Sequence, residues 1–431
     1  MRVLYICHRI PYPPNKGEKI RAFHQLRAIA SRHEVDLFTL ADQPEDQPED
    51  LSHREALLQY CREVTVASLN PRLARLRSLP YLFTRMPLTI PYFHSAELHR
   101  AVSDALARRS YDRIFVYCSA MAPYVEGAGR IPVLTDFVDI DSDKWTQYAG
   151  FARFPSSLVY RREGRCLREY ERRVCRNSTC VLVTTEREAG LAREIAVGTP
   201  VHVLPNGVDS DYFLRAAADD DAGGGSGAPV MVFTGDMSYF PNEDAAIHFA
   251  HRVLPLIRRS EPDARFLVVG RNPSRKVWEL GSIRGVEVTG FVPDVRDYLA
   301  RATVSVAPFS IAAGIPNKIL EAMAFGLPVV ATPRAVQGLS QGVAGAIEIA
   351  ETAEEMAAVV LRLVRDPSSA RRKGMECRRR VIEEHNWGRV LNRLLELVEN
   401  PGGTSRTVAD PPAPHSTCME AKLLPIKDLE D

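Results

Sequence analysis

Short apolar runs rich in β-branched residues recur along the chain, separated by longer stretches of amphipathic helical pattern. Before residue 205 the runs are Val3–Ile6, Val35–Leu40, Val64–Ala67, Ile114–Tyr117, Val133–Phe137 and Cys180–Val183. After residue 228 they are Val230–Thr234, Phe266–Val269, Val286–Thr289, Val304–Ala307 and Val329–Ala331. Nearly continuous apolar strands that alternate with helices are typical of parallel sheets covered on both faces. The pattern predicts an α/β fold.

One break in this pattern divides the chain. Residues 216–229, AAADDDAGGGSGAP, have no apolar period and are typical of a flexible linker. The strands on either side suffice for one doubly wound sheet each, which predicts two Rossmann-like lobes that face each other across a ligand-binding cleft. We place the lobes at residues 1–205 and 206–385. Residues 386–400 are predicted to form a terminal helix that packs back toward the first lobe, and residues 401–431 a disordered tail.

Composition narrows the class of protein. A chain of 431 residues exceeds what one hydrophobic core usually supports, so its length predicts at least two domains. Lysine and arginine total 55 against 54 acidic residues, so no overall field attracts nucleic acid, and no nucleic-acid partner is expected. The eight cysteines form no C-x-x-C pair, which favours a reduced, cytoplasmic setting. The first apolar run is too short for a signal peptide, and no run is long enough to span a membrane.

Several common kinds of site are absent from the sequence. The GGGSG run at residues 223–227 lacks the lysine and hydroxyl residue of a phosphate-binding P-loop. No G-x-G-x-x-G follows the first strand, which argues against a dinucleotide-dependent oxidoreductase. No H-E-x-x-H, G-x-S-x-G or paired Cys/His spacing occurs either. We therefore expect neither a metal ion nor a cofactor.

The most informative segment follows the run Val304–Ala307, where a glycine-containing loop leads to a helix that begins around Pro316. Free backbone amides at such a helix start bind anions, most naturally a nucleotide phosphate supported by Lys318. Glu321 lies three residues later on the same helix face, where a carboxylate suits the hydroxyls of a ribose. Alternatively, Glu321 only complements the helix dipole and Lys318 is only solvated. Geometry alone leaves both interpretations open.

A resemblance adds to this interpretation. The run NKILEAMAFGLPVV, residues 317–330, resembles the donor-nucleotide motif of family 4 glycosyltransferases, which have the two-lobed GT-B fold and transfer sugars from nucleotide donors with retention of configuration. Further similar pieces, in the expected order, are PNGVD at 205–209, FTGDMSYFPNEDA at 233–245, VGRNP at 269–273 and VTGFVPDV at 288–295. The segment DFVDIDSDKW and the opening ICHRIPYPPNKGEKIRAFH resemble the branch associated with exopolysaccharide and PEP-CTERM/exosortase clusters.

The resemblance implies a donor site and also shows two departures from the family pattern. Ala313 stands where relatives carry a glutamate for the donor sugar, so backbone around Gly314 and Ile315 is expected to supply contacts. Many relatives also carry Arg and Lys after the strand Val230–Thr234, and this chain lacks them. The expected donor-binding residues are Gly17, Gly235, Arg271, Gly314, Ile315, Asn317, Lys318 and Glu321.

Asp139 and Lys318 are the expected catalytic residues. Asp139 follows the end of a strand, where many relatives present a histidine near the reacting sugar. Simpler interpretations stay open: Gly17 serves only a turn, Arg271 lies on the surface, and the acids near Asp139 cap a helix. The Asp139-Ile140-Asp141 pair is not expected to bind a metal.

Together these observations predict a cytoplasmic, retaining hexosyltransferase that moves sugar from a nucleotide-sugar donor to a glycan or lipid-linked acceptor in surface or exopolysaccharide synthesis. Two alternatives are a nucleotide-sugar epimerase or hydrolase of the same fold and a non-catalytic nucleotide-sugar-binding protein. Residues 70–93 carry four arginines and no acid among Leu, Tyr and Phe, which predicts peripheral contact with the membrane. A partly buried helix is the alternative for that segment.

Overall fold

The computed structural model describes residues 1–14, 17–42, 51–214, 228–311 and 315–402. Over these residues the chain forms two parallel sheets with helices on both faces, which confirms the predicted α/β class. Most of the predicted linker, the tail from residue 403 onward, Ala313 and Gly314 lie outside the described residues.

The first sheet has seven strands among the described residues, in the order β3-β2-β1-β4-β5-β6-β7. The strands are β1 (Arg2–Cys7), β2 (Glu34–Ala41), β3 (Glu63–Ser68), β4 (Arg113–Tyr117), β5 (Val133–Val138), β6 (Cys180–Val183) and β7 (Val201–Val203). All neighbours are parallel, and Cys7 at the end of β1 pairs with Thr39 on one side and Tyr117 on the other. The strand order therefore reverses between β1 and β4, the switch point where doubly wound sheets bind ligands.

Helices cover both faces of this sheet. They are α1 (Gly17–Ala30), α2 (Leu51–Leu58), α3 (Pro71–Ser78), α4 (Thr89–Tyr92), α5 (Ala96–Arg108), α6 (Asp141–Phe151), α7 (Ser156–Asn177) and α8 (Glu186–Ile195). Two 3₁₀ segments, Leu79–Phe83 and Ser119–Val125, complete the first lobe.

The second sheet has six strands within the described ranges, in the order β10-β9-β8-β11-β12-β13. They are β8 (Val230–Thr234), β9 (Arg265–Val269), β10 (Val286–Gly290), β11 (Val304–Ala307), β12 (Val329–Ala331) and β13 (Glu348–Ile349). Its helices are α9 (Phe240–His248), α10 (Leu254–Arg258), α11 (Arg275–Glu279), α12 (Arg296–Arg301), α13 (Asn317–Phe325), α14 (Pro333–Val336), α15 (Gln341–Gly345), α16 (Ala353–Arg365), α17 (Pro367–His385) and α18 (Trp387–Glu399).

Burial explains which strands the sequence pattern revealed. The central strand β1 is fully buried from Val3 to Cys7, because helices pack against both of its faces. Every predicted apolar run became a strand. Among the described residues, the pattern missed only β7 and β13, which have three and two residues and include the polar His202 and Glu348. Strands this short at sheet edges bury too little apolar surface to leave a sequence signal.

Helix α18 returns the chain to the first lobe. Leu394, Leu397 and Val398 are buried in the same core cluster as β1 residues. Trp387 stacks on His24 of α1 with ring centroids 4.5 Å apart. The chain passes between the lobes twice, once near Val208 and once near His385. These two segments are joined, because the backbone N–H of Val208 donates to the carbonyl of His385 over 2.7 Å. The lobes are thus connected by two adjacent, hydrogen-bonded segments.

The close packing of α17 against the end of α13 can be tested with one methyl group. A Cβ at Gly374 in α17 would overlap the carbonyl oxygen of Gly326, whereas a Cβ at Gly190 in α8 would meet nothing within 4 Å. We expect Gly374→Ala to lower the free energy of unfolding by about 1–3 kcal/mol. Gly190→Ala should raise it by up to about 1 kcal/mol, because alanine favours the helix. Urea denaturation measures both, and equal effects would contradict the packing described.

Candidate active site

The carboxyl ends of both sheets face one cleft of about 3360 Å³, lined by residues of both lobes. Hydrogen bonds between described residues join its sides. The hydroxyls of Tyr148 in α6 and Tyr239 before α9 lie 3.2 Å apart. The Asn206 side-chain amide donates to Oδ1 of Asn317 over 3.0 Å. A ligand in the cleft therefore contacts the ends of both sheets at once.

The start of α13 points its backbone amides toward this cleft. Helix α13 begins at Asn317, one residue after the predicted start, with Pro316 at the N-cap and no side chain capping it. The first amides of a helix have no partner within the helix, so an uncapped start leaves them available to an anion. Lys318 and Glu321, both predicted site residues, line the cleft from this same helix.

Lys318 is held rigidly by three contacts. Its Nζ donates to Oδ1 of Asn242 over 2.7 Å. It also lies over the rings of Phe233 and Phe309, at 4.3 and 5.1 Å from their centroids. Burial lowers the pKa of Lys318 to about 7, although nearby Glu321 and Asp236 oppose that shift. A ligand phosphate would restore the charge that burial disfavours.

Glu321 lies in the same low-dielectric part of the cleft. Burial raises the pKa of the Glu321 carboxyl to about 7, and the ammonium of Lys318 opposes the increase. An anion beside Lys318 favours its protonated form, and hydroxyl donors beside Glu321 favour its carboxylate. Glu321 lines the cleft one turn into α13.

One glycine leaves the space that Lys318 occupies, and a second leaves room for the first. Gly235 follows β8 with φ of 149° and Gly270 follows β9 with φ of 144°, a conformation that side chains disfavour. A Cβ at Gly235 would overlap Nζ of Lys318, and a Cβ at Gly270 would overlap the carbonyl oxygen of Gly235. Gly235, predicted as a donor-binding residue, therefore lies directly against the buried ammonium.

Arg271 lines the cleft, but its charge is shared. Its Nε lies 3.1 Å from Oδ2 of Asp236 in an ion pair, and Asn272 donates to the same carboxylate oxygen over 3.2 Å. Hydrogen bonds from Ser238 and Asn272, together with Arg271, hold the pKa of Asp236 below its usual value in spite of burial. Arg271 thus meets an anionic ligand as part of an ion pair rather than as an isolated cation.

The remaining predicted donor residues occupy different positions. Ile315 is only 8% exposed and belongs to the core of the second lobe, so only its backbone is suited to ligand contact. Gly17 is the first residue of α1, and a Cβ there would lie 3.4 Å from Nδ2 of Asn317. The starts of α1 and α13 therefore converge. Gly314 lies outside the described residues.

Asp139 lies across the cleft on the first lobe, next to the end of β5. Its Oδ1 accepts a hydrogen bond from the Thr184 hydroxyl over 3.3 Å. Burial raises the pKa of Asp139, and Asp141 adds to that shift while Lys144 opposes it. The Lys144 ammonium lies 4.0 Å from Asp141. A carboxyl with a raised pKa at this position suits a proton acceptor for a sugar hydroxyl.

Sequence reasoning missed several residues at the carboxyl ends of the first sheet. His8 follows β1 and lies 3.7 Å from the Glu18 carboxylate of α1. Burial alone would lower the pKa of His8, but Cys118 and Glu18 raise it to about 10. Arg21 and Asp136 form a buried ion pair beneath the cleft. His8 and Asp136 were detectable as polar residues at the ends of apolar strands, whereas the pairing of Arg21 needed the tertiary structure.

Two family models match the chain, one over each lobe. The "Glycosyl transferase 4-like domain" model matches residues 17–207, and the "Glycosyl transferases group 1" model matches residues 228–366. Each lobe is thus similar to a glycosyl transferase family, and together the two matches support a glycosyltransferase. The models do not distinguish the branch associated with exopolysaccharide clusters.

Curated relatives are similar over part of their length. The chain is 30% identical over 220 residues to an α-maltose-1-phosphate synthase of Mycolicibacterium smegmatis, covering 46% of this chain and 56% of the relative. It is 29% identical over 215 residues to a GDP-mannose-dependent α-(1-6)-phosphatidylinositol monomannoside mannosyltransferase of the same species, covering 45% and 55%. The chain thus spans about half the length of the curated relatives it matches.

Solved structures share the whole fold. Sucrose-phosphate synthase from Thermosynechococcus elongatus superposes with a TM-score of 0.67 at 19% identity, covering 93% of this chain and 99% of that one. Anabaena HepE in complex with UDP gives a TM-score of 0.62 at 17% identity, covering 93% and 100%. These likenesses confirm the predicted GT-B fold of two facing Rossmann-like lobes.

Two negative findings concern the described residues alone. Within those ranges, no three His, Cys, Asp or Glu side chains are grouped so that they could hold a metal ion. None of the helices described is both long and apolar enough to cross a bilayer.

The paired pKa shifts predict how ligand binding depends on pH. The protonated form of Lys318 is lost as pH rises through about 7, and the Glu321 carboxylate is lost as pH falls through about 7. If both charged forms bind ligand, the affinity for a nucleoside diphosphate such as UDP peaks near neutral pH. Lys318→Arg should extend binding to higher pH, because guanidinium stays charged. Glu321→Gln should remove the loss at low pH.

Calorimetry from about pH 5.5 to 9 measures this dependence. The ligand's own phosphates titrate equally in every variant, so the comparison with the unmodified protein isolates the two side chains. Profiles that keep their shape in both variants would contradict the assignment.

Proposed function

We propose that this protein is a retaining glycosyltransferase that moves a hexose from a nucleotide-sugar donor to a glycan or lipid-linked acceptor. The observation that carries the proposal is the Lys318–Glu321 pair at the uncapped start of α13, within a cleft between two glycosyl transferase lobes. A phosphate-binding helix start with a carboxylate one turn later matches the phosphates and ribose of a nucleotide.

The proposed mechanism assigns the departing diphosphate to the second lobe. The amides at the start of α13 and the Lys318 ammonium stabilise the negative charge that develops as the sugar leaves. Lys318 is already fixed by Asn242 and two aromatic rings, so little reorganisation accompanies the reaction. Because these groups supply the positive charge, we propose that transfer needs no metal ion or other cofactor.

The acceptor is assigned to the first lobe. Asp139 is proposed to orient the acceptor hydroxyl and take its proton, with Lys144 and Thr184 holding the carboxyl in place. Attack from the face that the diphosphate leaves gives retention of configuration, and the cleft holds both substrates in one place. This chain has Ala313 where relatives carry a glutamate for the donor sugar. We propose that the backbone near Ile315 and the side chain of Arg271 contact the sugar hydroxyls instead.

The proposed setting is the cytoplasmic synthesis of a surface polysaccharide, including exopolysaccharide, or of its lipid-linked precursor. Support comes from the motifs at residues 136–145 and in the opening segment, and from the named activities of the relatives, which are a maltose-1-phosphate synthase and lipid mannosyltransferases. A nucleotide-sugar epimerase or hydrolase would use the same donor site but need no acceptor. A non-catalytic binding protein would bind nucleotide without turning it over.

Glu321→Ala tests the donor site. We expect it to weaken nucleoside diphosphate binding by about 1.5–3 kcal/mol, the scale of a hydrogen bond to a charged group, without unfolding the protein. A thermal-shift panel of UDP, GDP, ADP and dTDP first identifies the base, since tight ligands stabilise by mass action. Calorimetry then gives the affinity. Glu354→Ala, in the first turn of α16 and away from the cleft, is the matched control for a helix-dipole effect.

Donor turnover separates the three functions. Transfer predicts nucleotide release that depends on an added glycan or lipid-linked acceptor, persists in EDTA and falls in Asp139→Asn with nucleotide affinity unchanged. Release without any acceptor would favour an epimerase or hydrolase, and binding without release would favour a binding protein. An unchanged diphosphate affinity in Glu321→Ala would remove Glu321 from the site.

We also propose that the first lobe contacts the membrane through the region around α3 and the 3₁₀ segment Leu79–Phe83. Large apolar side chains are exposed there, including Leu73 at 64%, Leu76 at 62% and Phe83 at 94%. Exposed arginines are interleaved with them, namely Arg72, Arg75 and Arg85. Apolar side chains beside basic ones suit the boundary between anionic head groups and acyl chains.

The start of α7 extends this surface. The Arg162 guanidinium donates to the carbonyls of Thr84 and Met86, at 2.6 and 2.7 Å, so α7 lies against the segment after Phe83. Phe154, just before α7, is 78% exposed, and Leu158 in its first turn is 54% exposed. Helix α3 is partly buried through Ala74 and Ser78, as the alternative expects, and its large apolar side chains Leu73 and Leu76 stay exposed.

Liposome co-sedimentation tests the membrane contact. We expect binding to vesicles with anionic lipid at low salt, on the scale of about 1 kcal/mol per arginine, and little binding to neutral vesicles. Changing Arg72, Arg75 and Arg85 together to Glu should abolish it, and Phe83→Ser should weaken it. Arg77 is left intact because it donates to the carbonyl of Pro91.

The triple arginine change and Phe83→Ser each have a control variant at exposed residues outside the proposed membrane surface. Arg108, Arg275 and Arg284, all highly exposed elsewhere, are changed together to Glu, and Met375→Ser removes an exposed apolar side chain from the second lobe. Equal losses in test and control variants, or no binding at low salt, would refute this contact without affecting the donor-site proposal.

A further inference from the structure

We propose that Arg21 and Asn206 are positioning residues that fix the side-chain amide of Asn317 as a hydrogen-bond donor to the terminal phosphate of the donor's diphosphate. This inference rests on the proposed function and assigns roles to two residues that are not among the predicted site residues. The observation behind it is a chain of polar contacts that runs from the core of the first lobe, across the inter-lobe crossing, to the start of α13.

The chain begins at an immobile arginine. The side chain of Arg21 is 2% exposed, and it pairs with the fully buried carboxylate of Asp136. Arg21 Nε donates to Oδ2 of Asp136 over 2.9 Å, and Gln25 donates to the same oxygen over 2.6 Å. If the guanidinium moved away, it would leave the buried Asp136 carboxylate without its partner, which is costly. The guanidinium therefore has essentially one position.

The guanidinium can only donate hydrogen bonds, and this fixes the direction of the next hydrogen bonds, to Asn206 and Asn317. Arginine has five N–H donors and no acceptor, so the atom of Asn206 that faces it must be the carbonyl oxygen. Arg21 Nη1 donates to Oδ1 of Asn206 over 3.0 Å and to the carbonyl of Pro205 over 3.3 Å. The Asn206 amide nitrogen consequently points the other way and donates to Oδ1 of Asn317.

The same logic orients Asn317. Its carbonyl oxygen is used by Asn206, so its amide nitrogen remains as the outward donor. That nitrogen lies toward Gly17, 3.4 Å from where a Cβ would be, and Gly17 has none. Asn317 and Gly17 both line the cleft, and each is the first residue of its helix.

The two helix starts and the Asn317 amide nitrogen, which converge at this point, are all hydrogen-bond donors. Lys318 follows Asn317 on the same helix, and such an arrangement favours an anion. If the arginine did not fix its neighbours, Asn317 would be free to rotate and present its carbonyl oxygen, which repels phosphate. The buried pair in the first lobe thus sets the polarity of a ligand contact in the second lobe.

Asn206→Asp is the decisive variant because it is nearly isosteric. The carboxylate still accepts from Arg21, so the ion-paired core is preserved, but it has no N–H to donate to Asn317. We expect nucleoside diphosphate affinity to fall roughly 10- to 100-fold, the effect of losing one hydrogen bond to a charged group. The corresponding monophosphate lacks the terminal phosphate, and its affinity should change less than about threefold.

The probes are UDP, GDP, ADP and dTDP, each compared with UMP, GMP, AMP and dTMP by calorimetry. Asn386→Asp is the matched control. Asn386 also lines the cleft, at the segment where the chain returns to the first lobe, but its side-chain amide donates to Ser210 and does not contact Arg21, Asn206 or Asn317. In the Asn317→Ala background, Asn206→Asp should cause no further loss of diphosphate affinity. Thermal unfolding of each variant separates these effects from loss of fold.

The outcomes are distinguishable. Equal losses of diphosphate and monophosphate affinity, no loss of either, or an undiminished effect in the Asn317→Ala background would each overturn the positioning role. These results leave the donor site itself intact if Glu321→Ala still weakens binding. A wild-type protein that binds none of the four diphosphates would instead refute the proposed function, and with it this inference.

Discussion

Parallel strand pairing is the constraint on which the rest of this structure depends. Because all paired strands within each sheet run in the same direction, the loops that follow them emerge at one edge, and the helices after those loops start there. The residues that follow the central strands lie at this edge, with His8 after β1 and Gly235 after β8. The two edges face each other, so one cleft collects unpaired amides and charged side chains from distant parts of the sequence.

The cleft places positive charge where water is scarce, and each lobe does so differently. In the second lobe, Lys318 is held between two aromatic rings and Asn242, next to a glycine that makes room for it. Burial therefore weakens its charge until an anionic partner arrives. In the first lobe, Arg21 is neutralised by Asp136 and acts through hydrogen bonds only. The ammonium is carried by α13, and the guanidinium is linked to the start of that helix through Asn206.

The departures from the family pattern have consequences that the structure makes concrete. Asp236 lies in a loop where the resemblance leads us to expect cations, and its ion pair with Arg271 lowers the net positive charge in the part of the cleft proposed to bind the diphosphate. Under that proposal, Lys318 and the two helix starts carry more of the phosphate binding. The hydrogen bond between Val208 and His385 joins the two segments that connect the lobes, and so helps to fix the position of one lobe relative to the other.

The sequence by itself determined the α/β class, the longer strands, and the helix that bears Lys318 and Glu321. It did so because fully buried parallel strands need continuous apolar runs, and helix starts have local signals. The tertiary structure alone decided which charges are paired. Arg21 and Asp136 are separated by more than a hundred residues, and only their common burial shows that Asp136 is used in the core while Asp139 lines the cleft. Burial and hydrogen-bond direction are properties of packed neighbours, so no local pattern encodes them.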